Sequence, residues 1–547
     1  MSNGLYKKKI ASEGKSATKD FESDKVSGHH GRVALAMIAG FACSRAISAV
    51  MFTGFGLDES YSVAISRTFT LSYFDHPPLH QWITHLSILL FGVGPWVRIP
   101  FVLIAAGTGW LLFRITSRIF GGIAGLWALF AFSISPYFFA AAGSWVSPDG
   151  ILLFCLAGAT HASQQLLYYS PYTRSAPYHR WIILGFWTGF AGLSKYSAVF
   201  FPFGLLFFLV LSPQHRHWIT HPATYVGAAV GALIIAPVLI WNSYNDWISF
   251  TFQAGRALPM TAGNFSMLGI MVGGQIVYLS PLILPALAAA AVWAIRGSTA
   301  NDAKRMLLWL GLPTIGIMTI TPVWGSSGFP HWPLSGWFFI FPLLGGWMKS
   351  LQFSIFLKRI WAAATGSLTL AVVVIFISVQ SSDWLARALP GAFVMGDPIV
   401  DTLDWRPIRQ AKAFQTTLGW TPSFVIAQNW IEGGKVDLAV GTWLPVLVFS
   451  SDPRGFAFRR SSADFIGSDA VIVVHDFAAG ALLNTLRPYF ETLDDQESVK
   501  FGRSNLTEVE LFIIKAHKLI RPYPVPYGIA SDHTDCCVSE LSRKTRR

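Results

Sequence analysis

Runs of about twenty apolar residues recur along this chain, and they constrain the fold more than any other feature. Coiled as a helix, a run of that length matches the hydrocarbon thickness of a bilayer, because each residue rises about 1.5 Å. Eleven spans are predicted near 33–53, 99–117, 121–142, 149–169, 181–194, 196–212, 223–241, 267–295, 306–322, 332–348 and 360–380. The pair 181–194 and 196–212 is short and meets at Lys195. With 52% hydrophobic and 13% charged residues, the 547-residue chain carries more apolar surface than a soluble protein of its size needs.

Charge orients these spans. Between residues 53 and 380, eleven cations fall in loops on one side: Arg114, Arg118, Arg174, Arg180, Arg216, Arg296, Lys304, Arg305, Lys349, Lys358 and Arg359. Four fall on the other: Arg67, Arg98, Lys195 and Arg256. An excess of Lys and Arg marks the cytoplasmic side. The N-terminus is therefore expected inside, with everything after the eleventh span outside. The net charge of +12 follows from the same bias and calls for no nucleic-acid partner. Residues 1–32 are polar and lysine-rich and read as a disordered cytoplasmic tail; the first apolar segment reads as a retained span rather than a cleaved signal. The four cysteines have neither metal-ligand spacing nor a disulfide framework, and no metal or cofactor is expected.

The outer side gathers a different set of residues. The loop predicted over 54–98 contains GFGLDESYSVAISRTFTLSYFDHPPLHQW, with Asp58, Glu59, Arg67, Asp75, His76 and His80 close together. Asp58 and Glu59 precede SYSVAISRTF, which reads as a helix along the membrane surface. Asp58 is then either an N-cap or a general base at a cavity mouth, and the two roles are compatible. In FDHPPL (74–79) the two prolines make a rigid turn that would hold Asp75 and His76 toward the cavity; a protonated His76 would suit a phosphate. SPDG (147–150) places Asp149 at the mouth of a span, as a cap or as a second carboxylate facing Asp58. Lys195, in GLSKY, either snorkels to the interface or meets a phosphate. Arg256 and His331, in PHWP, are further candidates. Ionisable groups beside apolar spans are costly unless a wet cavity or a partner receives them.

After residue 380 the texture changes. Residues 381–530 read as a small extramembrane α/β domain, with strands at 424–428, 436–441, 446–450, 470–476 and 510–516 and helices near 405–418 and 477–490. Residues 531–547 form a polar, basic tail. The predicted fold class is thus a polytopic α-helical membrane protein of about eleven spans with a C-terminal α/β domain.

LDESY (57–61), YFDHPPLHQW (73–82), SPD (147–149), GLSKYSA (192–198), GQIVYLSPL (274–282) and FPHWP (329–333) follow one another over roughly the first 350 residues. This ordered set resembles the bacterial GT-C membrane glycosyltransferases, in the branch related to the protein O-mannosyltransferases and to the lipid A aminoarabinose transferase. The resemblance implies a GT-C fold and an inverting transfer of a sugar from a polyprenyl-phosphate carrier. The acceptor would be an envelope lipid A, lipopolysaccharide core, other glycan or protein, at the outer face of the inner membrane. Asp58 falls at that family's acidic position in the first outer loop, Asp149 at its second acidic position, and Lys195 at a basic position that serves the lipid phosphate. The turn departs from the aminoarabinose branch, which has an acidic residue and a lysine before the prolines where this chain has DHPP.

Two other classes fit some of these features. A polytopic transporter or lipid flippase would share the spans and the polar cavity, but calls for internal repeats or matched broken helices. A scaffold displaying the outer domain would leave the convergence of carboxylates, His and Lys on one face without a purpose. The transferase reading takes in all of them.

Overall fold

The computed structural model describes residues 28–51, 54–169, 178–257, 263–297, 302–324, 328–352, 355–381, 387–388, 400–417, 419–475, 479–502, 508–524 and 527. Of the predicted tails, 1–32 and 531–547, residues 1–27 and 531–547 lie outside the described residues, and the first helix already begins at Gly28.

The membrane part is a bundle of helices. Among the described residues, six are long and apolar enough to cross a bilayer: Gly28–Val50, Pro95–Phe120, Pro148–Leu167, Pro222–Tyr244, Asp302–Trp324 and Ile355–Ile375. Two bent pairs raise the number to as many as eight, with Gly122–Ile134 and Pro136–Ser144 meeting at 83° and Ser266–Leu279 and Ile283–Arg296 at 100°. The eleven predicted spans are therefore not all met by length and composition. The stretches at 181–194, 196–212 and 332–348 do fold as helices, but short ones. The break at Lys195 is real: its backbone is extended, with φ −157° and ψ 142°, between Tyr178–Ser194 and the short turn Tyr196–Val199.

Small residues bring these helices close. A Cβ on Gly185 would sit 2.0 Å from the Gly227 carbonyl oxygen, so Tyr178–Ser194 and Pro222–Tyr244 cross almost backbone on backbone. Between apolar helices in lipid, where water supplies no driving force, such close packing holds the bundle. Tyr178–Ser194 also lies antiparallel to Pro148–Tyr169. At one end Arg180 donates to the Gln165 carbonyl (2.8 Å), and at the other Lys195 meets Asp149. Asp149 and Gln165 lie on the one helix Pro148–Tyr169, so these two contacts are roughly 24 Å apart along it, most of a bilayer core.

The C-terminal domain carries a six-stranded sheet. Its strands are β1 (Pro422–Ala427), β2 (Val446–Val448), β3 (Asp469–His475), β4 (Phe490–Leu493), β5 (Glu497–Gly502) and β6 (Glu508–Leu519). The order is β2-β1-β3-β6-β4, and β5 also pairs with β6. β1 runs parallel to β2 and β3, and β6 runs antiparallel to β3, β4 and β5. Four of the predicted strands are present, and the fifth is corrected: 436–441 belongs to the helix Trp430–Val440. Parallel β1 and β2 need a crossover, and this helix supplies it. Asn429 caps it, its Oδ1 accepting from the Glu432 N–H at 2.9 Å. The predicted helix near 405–418 is instead two 3₁₀ turns, Arg406–Gln410 and Lys412–Phe414, with Leu418 outside the described residues. The second predicted helix is present as Ala479–Leu486 followed by a 3₁₀ turn.

One face of the sheet packs on Leu482 and Leu486. The other shares a core with the first outer loop: Tyr61, Ala64, Ile65 and Tyr73 pack with Val436, Val440, Val446, Val471 and Leu511. The predicted surface helix is Leu57–Ser66, and it crosses Trp430–Val440 at Gly434, where a Cβ would lie 2.4 Å from the Tyr61 backbone nitrogen. The α/β domain is thus built onto the loop that carries the candidate chemistry.

Candidate active site

The first outer loop is pinned before it presents anything. Gly56, not Asp58, is the residue before the helix, and its N–H reaches Glu59 Oε2 at 3.3 Å. Glu59 is buried. Its Oε1 accepts from Arg98 Nε at 2.9 Å and from the Val146 N–H at 3.0 Å. Arg98 also donates to the carbonyls of Ala49 and Gly54. This network ties the loop to the first helix and to the start of the SPDG turn, and it engages both carboxylate oxygens of Glu59, which the sequence reading expects at the substrate.

Arg67 is engaged in the same way. Its Nε lies 3.3 Å from Asp437 Oδ1, while Arg459 reaches Asp437 Oδ2 at 2.7 Å. Arg67 therefore links the outer loop to the α/β domain. Burial lowers its pKa, Asp437 opposes that, and it stays charged.

Asp58 points elsewhere. It is accessible to water, although protein surrounds it on most sides. That partial desolvation raises its carboxyl pKa above the ordinary 3.8; nearby Arg454 opposes the rise, and Asp75 and Glu59 reinforce it. Asp75 Oδ1 accepts from the Tyr61 hydroxyl at 3.1 Å, and Arg454 Nη1 lies 3.8 Å from its Oδ2. The rigid DHPP turn is braced by Gln253, which donates to the Asp75 carbonyl at 2.7 Å.

A second group lies beside this one. Lys195 Nζ donates to both oxygens of Asp149, at 2.8 and 3.0 Å, and both side chains are about one-seventh exposed. His331 stacks between Tyr137 and Phe329, with ring centroids 6.0 and 5.6 Å away. His76 bridges the two groups and feels the charges of Lys195, Asp149, Arg256 and Arg454. Burial, helped by Lys195, pushes its pKa down to about 3, and His331 falls to about 4 for the same reasons. Burial thus favours the neutral imidazole in both, against the expectation of a protonated His76 at a phosphate. His76 Nδ1 is buried with no hydrogen-bond partner among the described residues.

Arg256 lies over Phe252, Phe329 and Trp332, at 5.5, 5.7 and 5.1 Å from their ring centroids. It has no carboxylate within ion-pair distance among the described residues. Sequence reasoning missed Tyr61, Tyr137 and Arg454. Tyr61 sat in the quoted LDESY motif, but Arg454 lies in a polar domain where one more arginine makes no contrast.

Compared with known proteins, residues 75–241 match the family model described as dolichyl-phosphate-mannose-protein mannosyltransferase. That stretch holds Asp75, His76, Asp149 and Lys195 but neither Asp58 nor the α/β domain. The lipid A galacturonosyltransferase RgtD of Rhizobium johnstonii is 25% identical over 349 residues, covering 60% of this chain and 69% of that protein. ArnT from Cupriavidus metallidurans bound to undecaprenyl phosphate superposes with a TM-score of 0.57 at 16% identity, over 87% of this chain and 97% of that one. Its apo form gives 0.58 at 16% identity, over 89% and 98%. The likeness to ArnT is one of fold, and it includes the C-terminal domain. In sequence the chain is thus similar to the protein mannosyltransferases and to a lipid A galacturonosyltransferase, and in fold to ArnT.

Proposed function

We propose that this chain transfers a sugar from a polyprenyl-phosphate carrier to an envelope acceptor at the outer face of the inner membrane, with inversion at the anomeric carbon. Lipid A is the first acceptor to test, since RgtD acts on it, and the ArnT structure with undecaprenyl phosphate supports the carrier. The observation that carries the reading is that one loop holds a water-accessible carboxylate, Asp58, and a buried His76 that feels the charges of the separate ion pair Asp149–Lys195.

The chemistry needs no nucleotide. An acceptor hydroxyl attacks the anomeric carbon, its proton passes to Asp58, and the bond from that carbon to the phosphate oxygen breaks. The polyprenyl phosphate leaves with one more negative charge. A base with a raised pKa is better matched to this proton transfer near neutral pH than an ordinary aspartate. Cations held in place before the reaction stabilise the charge as it grows. Asp149 already neutralises part of the Lys195 charge, whereas Arg256 rests only on aromatic faces, so the phosphate falls to both. The neutral His76 suits a sugar hydroxyl, which can satisfy its orphaned ring nitrogen. Binding the lipid and orienting the acceptor supply the rest.

The test is transfer of label from a polyprenyl-phosphate sugar in membranes, with mass spectrometry of lipid A from cells with and without the protein. Asp58→Asn keeps the side chain's size and removes its basicity, so turnover should fall by on the order of a hundredfold or more at normal protein levels. Full activity in Asp58→Asn membranes would remove Asp58 from the mechanism.

A further inference from the structure

Arg454 is the least explained residue near the site. It belongs to the α/β domain, on the loop after β2, and it is one of five non-glycine residues with positive φ among the described residues, at +46°. For a residue with a Cβ this backbone conformation is strained, and it persists only where the surroundings impose it. They do. The Arg454 N–H donates to the Tyr527 hydroxyl at 3.0 Å, and that hydroxyl donates to Asp452 at 2.6 Å. The next residue's N–H, on Gly455, donates to the Tyr61 hydroxyl at 3.0 Å, and Tyr61 in turn holds Asp75. The loop is fastened to the first outer loop at the point where Asp75 enters the site.

The side chain is fixed just as closely. Its guanidinium lies 3.6 Å from the Trp430 ring centroid, and its Nε reaches Asp452 at 3.4 Å. Beyond Nε, the Nη1–Nη2 fork makes no hydrogen bond to any described residue; Asp75, at 3.8 Å, is its nearest carboxylate on the site side. The side chain keeps about one-fifth of its surface open. Arg256 stands across the Phe252 ring, the two guanidinium carbons 5.7 and 5.5 Å from its centroid, and the Arg256 guanidinium likewise has no hydrogen bond to a described residue. Two like charges thus share one ring, with Asp75 and Asp452 the carboxylates that act on both; burial together with Arg454 lowers the Arg256 pKa, and the two carboxylates oppose that. These carboxylates leave the Nη pairs of both guanidiniums without a hydrogen bond among the described residues. An open guanidinium fork matches the two oxygens of a phosphate or carboxylate with two parallel N–H bonds.

We propose that Arg454 is a substrate-binding residue of the transfer site, supplied by the α/β domain, and that with Arg256 it receives an oxyanion of the sugar donor. The inference rests on the transferase reading. The oxyanion is the carrier's phosphate or a carboxylate on the sugar itself, and two sets of probes tell these apart.

The experiment is equilibrium titration of the purified full chain in detergent, with undecaprenyl phosphate in one arm and galacturonic acid 1-phosphate against galactose 1-phosphate in the other. Arg454→Gln should weaken undecaprenyl phosphate on the order of tenfold if the phosphate is the partner. If the carboxylate is, that affinity stays and the preference for the uronic over the neutral sugar phosphate is lost instead. Arg454→Lys keeps a cation over Trp430 without the fork and should recover only part of either loss; it also carries the test should Arg454→Gln fail to accumulate. Arg406→Gln, an exposed arginine of the same domain, is the control for charge. Wild-type affinities for all three probes in both Arg454 variants would overturn the proposal. Binding that depends on Arg454 in a protein that transfers no label would leave it standing and remove the transferase reading.

Discussion

Asp58 and Glu59 are neighbours in sequence with opposite fates, and the contrast is testable. Glu59 neutralises the fully buried Arg98 and accepts the Val146 N–H, so Glu59→Gln leaves a buried cation without its counter-charge. Breaking such a pair costs about 3–5 kcal/mol, and the loss should show as a lower melting temperature and poor accumulation in membranes. Asp58→Asn should melt like the wild type; if Glu59→Gln did so too, the pinning role would be wrong. Glu432 offers a different handle. It is buried near the cap of Trp430–Val440, and burial raises its pKa from 4.5 to about 7, with Asn429 opposing. The folded state therefore holds this proton between about pH 4.5 and 7 while the unfolded chain releases it. Stability contributed by the protonated form is full below pH 4.5 and is lost as the pH rises through 7, on the order of 3 kcal/mol in all. Glu432→Gln should be more stable than the wild type at pH 8 and similar to it at pH 4.5, by thermal unfolding at each pH; equal gaps at both would mean that Glu432 does not titrate. Legibility at this scale follows contrast. Lys195 and Asp149 could be picked out because each interrupts apolar sequence, but their pairing could not, since 46 residues separate them. Arg454 had no apolar background against which to stand out.

Among the elements, the helix over 430–440 shows where a short pattern misleads. In VDLAV the apolar residues alternate as a strand would have them, yet Val436, Ala439 and Val440 are the positions that go into the core, at helical spacing. Five residues are too few to separate the two periods; the Asn429 cap and the need for a crossover between parallel strands decide it. Strands β4 and β5 were not foreseen because the alternation in β5 leaves no residue fully buried, and a half-exposed edge carries little apolar signal. The same helix yields a prediction through Gly434. A side chain there meets the Tyr61 backbone, which cannot move without shifting Leu57–Ser66 and the Tyr61–Asp75 hydrogen bond. Gly434→Val should destabilise the chain by about 1–3 kcal/mol and reduce transfer as well. Gly480, with open space where its Cβ would go, is the control: Gly480→Ala should change neither. A wild-type melting temperature in Gly434→Val would mean that the two helices are not packed this closely.

For the whole molecule, the orientation in the membrane is the prediction that ties sequence to mechanism. Apolar length alone does not confirm the eleven spans: among the described residues six helices, or up to eight with the bent pairs, have the length and composition to cross. Charge was the better guide. Trp181, beside Arg180, packs on Trp218 at 5.7 Å, and Arg305 donates to the Leu211 carbonyl. Arg180, Arg216 and Arg305, assigned by sequence to one side, therefore cluster at one end of the bundle. Lys195 and Asp149 stand at the other end of Tyr178–Ser194 and Pro148–Tyr169, beside the loop that is joined to the α/β domain by Arg67–Asp437 and Tyr61–Gly455. Excess positive charge stays in the cytoplasm. On this rule the site and the α/β domain are expected together on the outer face, where the proposed transfer needs them. Reporter fusions after Arg216 should read cytoplasmic, and fusions after Leu403 should read external. The two results are coupled, because the hydrogen bonds between Tyr61, Asp75 and Gly455 require the first outer loop and the α/β domain to lie on one side. A cytoplasmic signal at Leu403 would put Asp58, Lys195 and Arg454 all on the inner face, and transfer to an acceptor in the outer leaflet would no longer be possible.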